Sequence, residues 1–216
     1  MEKSNSKIVA VAALVVAVIA LSVGFAALSA TLNISSDASV TVHPENTFEA
    51  NISYTGTASC TPSGHATVAN AGTLNNKIWN GIVVNLQEPG DSVVCTATIT
   101  NSSSFDGYLK SVTADSNISC EAGSTNGASA TKVTEVCGDM AMTVGVGANG
   151  TENVTSEITN AAHAGLSAIT TNNSIAKTNG THTVKVTITY KNPGALSDGD
   201  IKVTLPGIEL GYNTEN

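Results

Sequence analysis

The segment Thr181–Lys191 reads THTVKVTITYK, and its alternation decides the fold class. Val184, Val186, Ile188 and Tyr190 fall on one side of an extended chain, with Thr183, Lys185, Thr187 and Thr189 on the other. A strand apolar on one face and polar on the other belongs in an antiparallel sheet with one face on a core. The same period recurs upstream. In Asp91–Asn101 the apolar set is Val93, Cys95, Ala97 and Ile99; in Phe48–Cys60 it is Phe48, Ala50, Ile52, Tyr54, Ala58 and Cys60. Thr31–Val42 (TLNISSDASVTV) places Leu32, Ile34, Ala38, Val40 and Val42 on one face. His43-Pro44 ends that strand, because proline has no N–H for a ladder.

Further strands are expected at 80–87, 108–114, 132–137, 139–146 and 200–212. Turn chemistry separates them at Glu88-Pro89-Gly90-Asp91, Phe105-Asp106-Gly107, Asn149-Gly150, Asn179-Gly180 and Ser197-Asp198-Gly199. Thr155–Ile169 departs from the period. Ile158, Ala162, Leu166 and Ile169 recur there at helical spacing, and Asn153 or Thr155 is placed to cap them, so one short helix is expected. Leucine is scarce and aromatics make up 4% of the chain, which disfavours a helical bundle. The pattern predicts an all-β fold: an antiparallel two-sheet jelly-roll-like sandwich with one short helix, preceded by an N-terminal apolar leader helix.

The leader is read from Met1–Ala30. Lys3 and Lys7 precede Ile8–Ala30, which carries no charge, is crowded with small residues at its end and closes on Leu28-Ser29-Ala30, an acceptable signal-peptidase site. This is the layout of a signal peptide cleaved between Ala30 and Thr31. Roughly 20 apolar residues also suffice for a membrane-spanning helix, so a retained anchor competes with cleavage. Gly24 and Ser22 interrupt the run near its end and favour cleavage. Either way residues 31–216 are delivered outside the cytoplasmic membrane. The expected organisation is a leader or anchor at 1–30, an N-terminal strand at 31–44 and one sandwich domain at 45–216.

The formal net charge is −8, and all nine basic residues are lysine. Nucleic-acid binding is disfavoured both by the charge and by the absence of arginine, the preferred fork for phosphate and base edges. Four cysteines, Cys60, Cys95, Cys120 and Cys137, read as two disulfides in an exported chain. Three pairings exist. Cys60 and Cys95 both fall on the apolar faces of their strands, which favours Cys60–Cys95 with Cys120–Cys137 as a local clip.

No catalytic constellation emerges. There is no HExxH and no GxSxG, and His43, His65, His163 and His182 are scattered without partners at metal-ligand spacing, so each is read as a surface histidine. Asp198-Gly199-Asp200 lacks the further oxygens of a Ca²⁺ loop and is read as a turn. No metal or cofactor is expected. Leu205-Pro206-Gly207-Ile208-Glu209 is not followed by the apolar stretch and basic tail of a wall-sorting signal. Asn-x-Ser/Thr sequons start at Asn33, Asn51, Asn101, Asn117, Asn149, Asn153, Asn172 and Asn179, acceptors for glycosylation where the machinery exists.

Three stretches together resemble the TasA/camelysin-like family of exported fibre subunits: VGFAALSATLNISSDASVTV at Val23–Val42, Leu86–Ser92 followed by VVCTATITNSSSFDGYLKSV, and THTVKVTITYKNPGALSDGDIKVTLPGIEL at Thr181–Leu210. The four cysteines and the acidic, lysine-poor balance depart from that pattern. The resemblance implies a jelly-roll subunit that polymerises into extracellular filaments or pili of a biofilm matrix. It implies donor-strand exchange, in which the N-terminal strand of one subunit completes a sheet of the next. Leu32, Ile34, Ala38, Val40 and Val42 would then fill pockets of the neighbour, whereas in the plain alternative that strand pairs within its own domain. The resemblance also raises a metallopeptidase, which the residues disfavour. The expected partner is the chain itself, with other cells or matrix components as further partners, and the membrane only through the leader. A monomeric adhesin or binding module, secreted or tethered, is the alternative to the polymer.

Overall fold

The computed structural model describes residues 48, 51–124, 126–163, 165 and 173–214, all within the unit His43–Asn216. The expected leader, the cleavage junction at Ala30 and Thr31, and the expected donor strand with Leu32, Ile34, Ala38, Val40 and Val42 lie outside the described residues. Among the described residues no helix is long and apolar enough to cross a membrane.

The chain folds as an all-β sandwich. Its strands are β1 (Ile52–Ser63), β2 (Thr67–Asn75), β3 (Ile78–Asn85), β4 (Ser92–Asn101), β5 (Gly107–Ala114), β6 (Ser119–Ala122), β7 (Met140–Gly147), β8 (Asn153–Val154), β9 (Ser174–Ile175), β10 (Gly180–Tyr190), β11 (Ile201–Thr204) and β12 (Ile208–Asn213). A helix, α1 (Ala130–Gly138), lies between β6 and β7. The first sheet has the order β1-β4-β10-β7-β8 and the second β2-β3-β12-β5-β9, while β6 and β11 form a separate two-stranded ribbon. Every strand pair is antiparallel. Connections such as β1 to β2, β3 to β4, β4 to β5 and β11 to β12 carry the chain from one sheet or ribbon to another, in the jelly-roll manner.

The alternation of THTVKVTITY builds the centre of the first sheet. β10 lies between β4 and β7, and Val184, Val186, Ile188 and Tyr190 are all buried. They meet Val93, Cys95, Ala97 and Ile99 of β4 in one core, which the second sheet closes with Trp79, Leu109, Val112, Ile208, Leu210 and Tyr212. Burying each aliphatic side chain of this set stabilises the fold by about 1.5–3 kcal/mol relative to exposure. The outer edges are blunted. β1 bulges between Thr55 and Ser59, where Gly56 has φ +73°, and β2 bulges beside Asn70.

The two disulfides are Cys60–Cys95 and Cys120–Cys137, the pairing that face parity favours. Cys60 and Cys95 are direct cross-strand partners on β1 and β4. Two disulfides within one domain point to an oxidising environment.

Four local expectations are corrected. The strand expected at 132–137 is α1: Val133, Val136 and Cys137 share a helical face, and the Ser129 side chain caps the helix by accepting from Lys132 N–H at 3.4 Å. The helix expected over Thr155–Ile169 does not form in its described part. Thr155 N–H donates to Val144 O (2.8 Å) and Ile158 exchanges backbone hydrogen bonds with Met142, so β7 takes these residues as an extended partner. The strand expected at 200–212 is two strands, β11 and β12, broken at Leu205–Gly207. Finally, β2 and β6 form where no strand was expected, the first as a largely exposed edge without clean alternation.

Candidate functional site

The break at Leu205–Gly207 lies beside a groove. β5 and β12 pair as one ladder up to Ala114 and Ile208. Beyond that rung both chains turn out of the sheet. Pro206 offers no N–H, and a reciprocal clamp forms: Asp115 N–H donates to Gly207 O (3.0 Å) and Gly207 N–H donates to Asp115 Oδ1 (2.9 Å). A Cβ at Gly207 would lie 2.8 Å from Asp115 Oδ2, so a side chain there would push the clamping carboxylate aside. Past the clamp the chains pair again as β6 and β11, from Ser119↔Thr204 to Ala122↔Ile201.

This splay deprives β3 of a neighbour. β3 meets β12 only at Ile78↔Glu209 and Trp79↔Ile208. From Asn80 to Asn85, the side of β3 away from β2 has no ladder partner among the described residues. Between β3 and β11 lies a groove of about 560 Å³. Its floor is Ile188 and Tyr190 of β10, Met140 of β7 and Val136 of α1. Val84 and Leu86 form one wall; Ile201, Val203 and Leu205 form the other. The wall side chains are only partly buried, in contrast to the floor. Asp200 is the one charged side chain among the lining residues. The arrangement offers a trough with an apolar floor and a mixed rim, to which Thr67, Asn85, Gln87, Ser197 and Asp200 add polar groups, beside a strand edge that has no ladder partner among the described residues. An extended peptide that adds as a strand needs such an edge.

The loop 191–200 closes one end of the trough. Lys191 N–H donates to Asp139 O (2.9 Å), Ala195 N–H to Asp139 Oδ2 (2.7 Å) and the Tyr190 hydroxyl to Ala195 O. Burial raises the Tyr190 phenol above its ordinary pKa and the nearby Asp139 carboxylate adds to this, so it stays a donor. The loop carries Leu196, which is 64% exposed beside Ser197 at the rim.

Next to the groove, His65, Glu88 and Asp91 place ligand-type atoms within 4.8 Å of one another. Their geometry is that of a turn anchor. Asp91 is buried, with Oδ1 accepting from His65 N–H (2.7 Å) and Oδ2 from Gln87 N–H (2.7 Å) and Glu88 N–H (3.2 Å). Burial alone would raise its pKa, but these donors overcome it and hold the carboxyl below its usual value. His65 is exposed, 2.5 Å from the Glu88 carboxylate.

Of the other histidines, His43 lies outside the described residues and His163 is exposed against Asn117. His182 overturns the expectation of a surface histidine. It is 5% exposed, with Nε2 donating to Ser174 O (2.9 Å) and Nδ1 accepting from the Tyr212 hydroxyl (2.9 Å). Asp198 and Asp200 serve turns: Asp198 Oδ1 accepts from Ser129 N–H (2.9 Å), and Asp200 O accepts from Gly123 and Ala128. The sequons differ widely in accessibility. Asn101 is fully buried, whereas Asn149 and Asn179 are exposed.

Sequence reasoning did not find the groove. Its one available signal is the Leu205-Pro206-Gly207 tripeptide inside an apparent strand, since proline in a strand marks an edge or a break. No family model matches the chain, and no curated protein is recognisably similar to it in sequence.

Proposed function

We propose that the protein is an exported structural subunit that polymerises into extracellular filaments by donor-strand exchange, as the resemblance to TasA/camelysin-like fibre subunits implies. The observation that carries this reading is the groove between β3 and β11, with its apolar floor, where the outer side of β3 has no ladder partner among the described residues. The chain contains a segment of matching chemistry. Thr31–Val42 is twelve residues of alternating pattern, with Leu32, Ile34, Ala38, Val40 and Val42 on one face to meet the floor. Its backbone would pair with the free side of β3 over Asn80–Asn85, in the mode of strand addition. The two disulfides suit a subunit that works outside the cytoplasm.

The test is N-terminal sequencing of the native protein together with negative-stain microscopy of the same sample. A start at Thr31 with filaments, and loss of filaments on deleting Thr31–Val42, are expected. Filaments that persist after the deletion would overturn the reading. A start at Met1 with discrete particles would leave a tethered monomeric binding module.

A further inference from the structure

The groove has unequal walls. Val84 belongs to β3, which is laddered to β2 along its whole length and so is held by the second sheet. Ile201 and Val203 belong to the β6–β11 ribbon, which has only four rungs and pairs with neither sheet among the described residues. A two-stranded ribbon is marginal by itself and needs something else to hold it. At its near end the ribbon is held by the Asp115–Gly207 clamp and by Ile118 N–H donating to Thr159 O (3.0 Å), and further tethers lie along it. At the far end, Asp200 binds the 123–128 turn through Gly123 N–H (2.7 Å) and Ala128 N–H (3.0 Å). Midway, Cys120 is bonded to Cys137 of α1.

The position of that bond is informative. Cys120 stands directly opposite Val203 in the ribbon, and Val203 lines the groove. Cys137 follows Val136, which forms part of the floor. One covalent link therefore ties the weaker wall to the floor at the rung where the groove is formed. Cys60–Cys95, by contrast, joins two strands that are already laddered on both sides of the bond.

We propose that the Cys120–Cys137 disulfide is the brace that keeps the groove open to an incoming strand, so that acceptor competence is conferred by oxidation. This rests on the strand-exchange reading and adds its control. The bond forms by thiol–disulfide exchange with an exogenous small-molecule or protein disulfide. One cysteine thiolate attacks that disulfide and displaces its first thiol; the second cysteine attacks the mixed disulfide and displaces the other. The cysteine pair loses two electrons and two protons, and the donor disulfide becomes two thiols. A chain still reduced before export is then folded in its sheets but unable to accept a neighbour.

The experiment uses the full mature chain made unable to donate by Ile34→Asp and Val40→Asp, and reads binding of a fluorescent peptide with the sequence of Thr31–Val42 by anisotropy. The parent binds the peptide. Adding Cys120→Ser and Cys137→Ser weakens binding by about tenfold or more, while adding Cys60→Ser and Cys95→Ser changes it by less than about threefold. Far-UV circular dichroism and Trp79 fluorescence report whether each variant keeps its sheets. As a measurement independent of mutant folding, the unsubstituted-cysteine parent is treated with limiting reductant and alkylated. Peptide binding is then followed against the fraction modified at Cys120 and Cys137 while Cys60–Cys95 stays intact. Loss of binding in step with that modification is expected. Equal binding by the Cys120/Cys137 variant, or by chain reduced only at that bond, overturns the brace. A parent that binds no peptide overturns the strand-exchange reading itself, and the brace with it.

Discussion

Tyr54 places its hydroxyl in the interior with no hydrogen-bond partner among the described residues, and burial raises its pKa so far that it stays protonated. Its ring packs edge-on against Trp79, with centroids 6.2 Å apart, so the apolar part is well used. Replacing the phenol by phenyl keeps that packing and removes an unpaired polar group, whose burial costs about 1–3 kcal/mol. Tyr54→Phe is therefore expected to raise the melting temperature, and a drop would mean that the hydroxyl has a partner in solution. His182 gives a second test. Burial lowers its pKa, only partly offset by the bond to Ser174 O and the field of Glu152. The unfolded chain, with an ordinary histidine pKa of about 6.5, takes up the proton first as pH falls. Stability contributed by the neutral ring is thus full above about pH 6.5 and declines as pH drops toward the lower folded value. Denaturant titrations of the native protein should show this slope between neutral pH and pH 5. In His182→Gln, which keeps a donor and an acceptor, the slope should be flatter in that window.

At the scale of elements, the strands with one buried face were legible, and the helix and the groove were not. β4 and β10 declare themselves because a face packed on a core selects apolar residues at every second position. β2 has no such face: most of its residues are exposed, so nothing constrains them to alternate. Thr155–Ile158 looked helical because Ile158 and Ala162 are four apart, but Ile158 is apolar for the sake of Met142, its bridge partner on β7. The groove is a relation between β3 and β11, which are far apart in sequence, and only the Asp115–Gly207 clamp separates them. That relation yields a prediction for one wall. Val203 is half-buried and faces the trough, so Val203→Asp leaves the free domain close to its normal stability, because water still reaches the carboxylate. An incoming strand would have to bury that charge without a counter-ion. Assembly is expected to weaken by about 3 kcal/mol, or about a hundredfold in affinity. Sedimentation of filaments against a melting curve of the same variant separates the two effects. Normal assembly would place the strand elsewhere.

For the molecule as a whole, the proposed donor segment and acceptor groove would make a heterologous contact. Such a contact gives a ring where its rotation closes and an open fibre where it does not, and the filament reading requires the second. An isologous dimer through a shared patch would instead stop at two subunits. The excess of acidic over basic residues gives free subunits a mutual repulsion that favours solubility before assembly, and salt should speed the first encounters by screening it. The directionality can be tested with two full-length mature variants. One has a disabled donor, through Ile34→Asp and Val40→Asp; the other has a disabled acceptor, through Val84→Asp and Val203→Asp. Alone, each remains monomeric. Mixed, the intact donor of the second enters the intact groove of the first, and growth ends there because neither free end is competent. Multi-angle light scattering of the mixture should therefore show a species of twice the monomer mass at equimolar ratio, with no longer oligomers. If the N-terminal strand pairs only within its own domain, the mixture stays monomeric while the unmodified chain still sets the comparison. If filaments form from either variant alone, the polymer is held by some other surface. Doping a few per cent of either variant into the unmodified chain adds a kinetic reading of the same geometry. A donor-dead subunit ends a filament from which the next strand is due, and an acceptor-dead one ends the opposite end. Both should shorten filaments, and only a head-to-tail polymer makes two different lesions act as two different end caps.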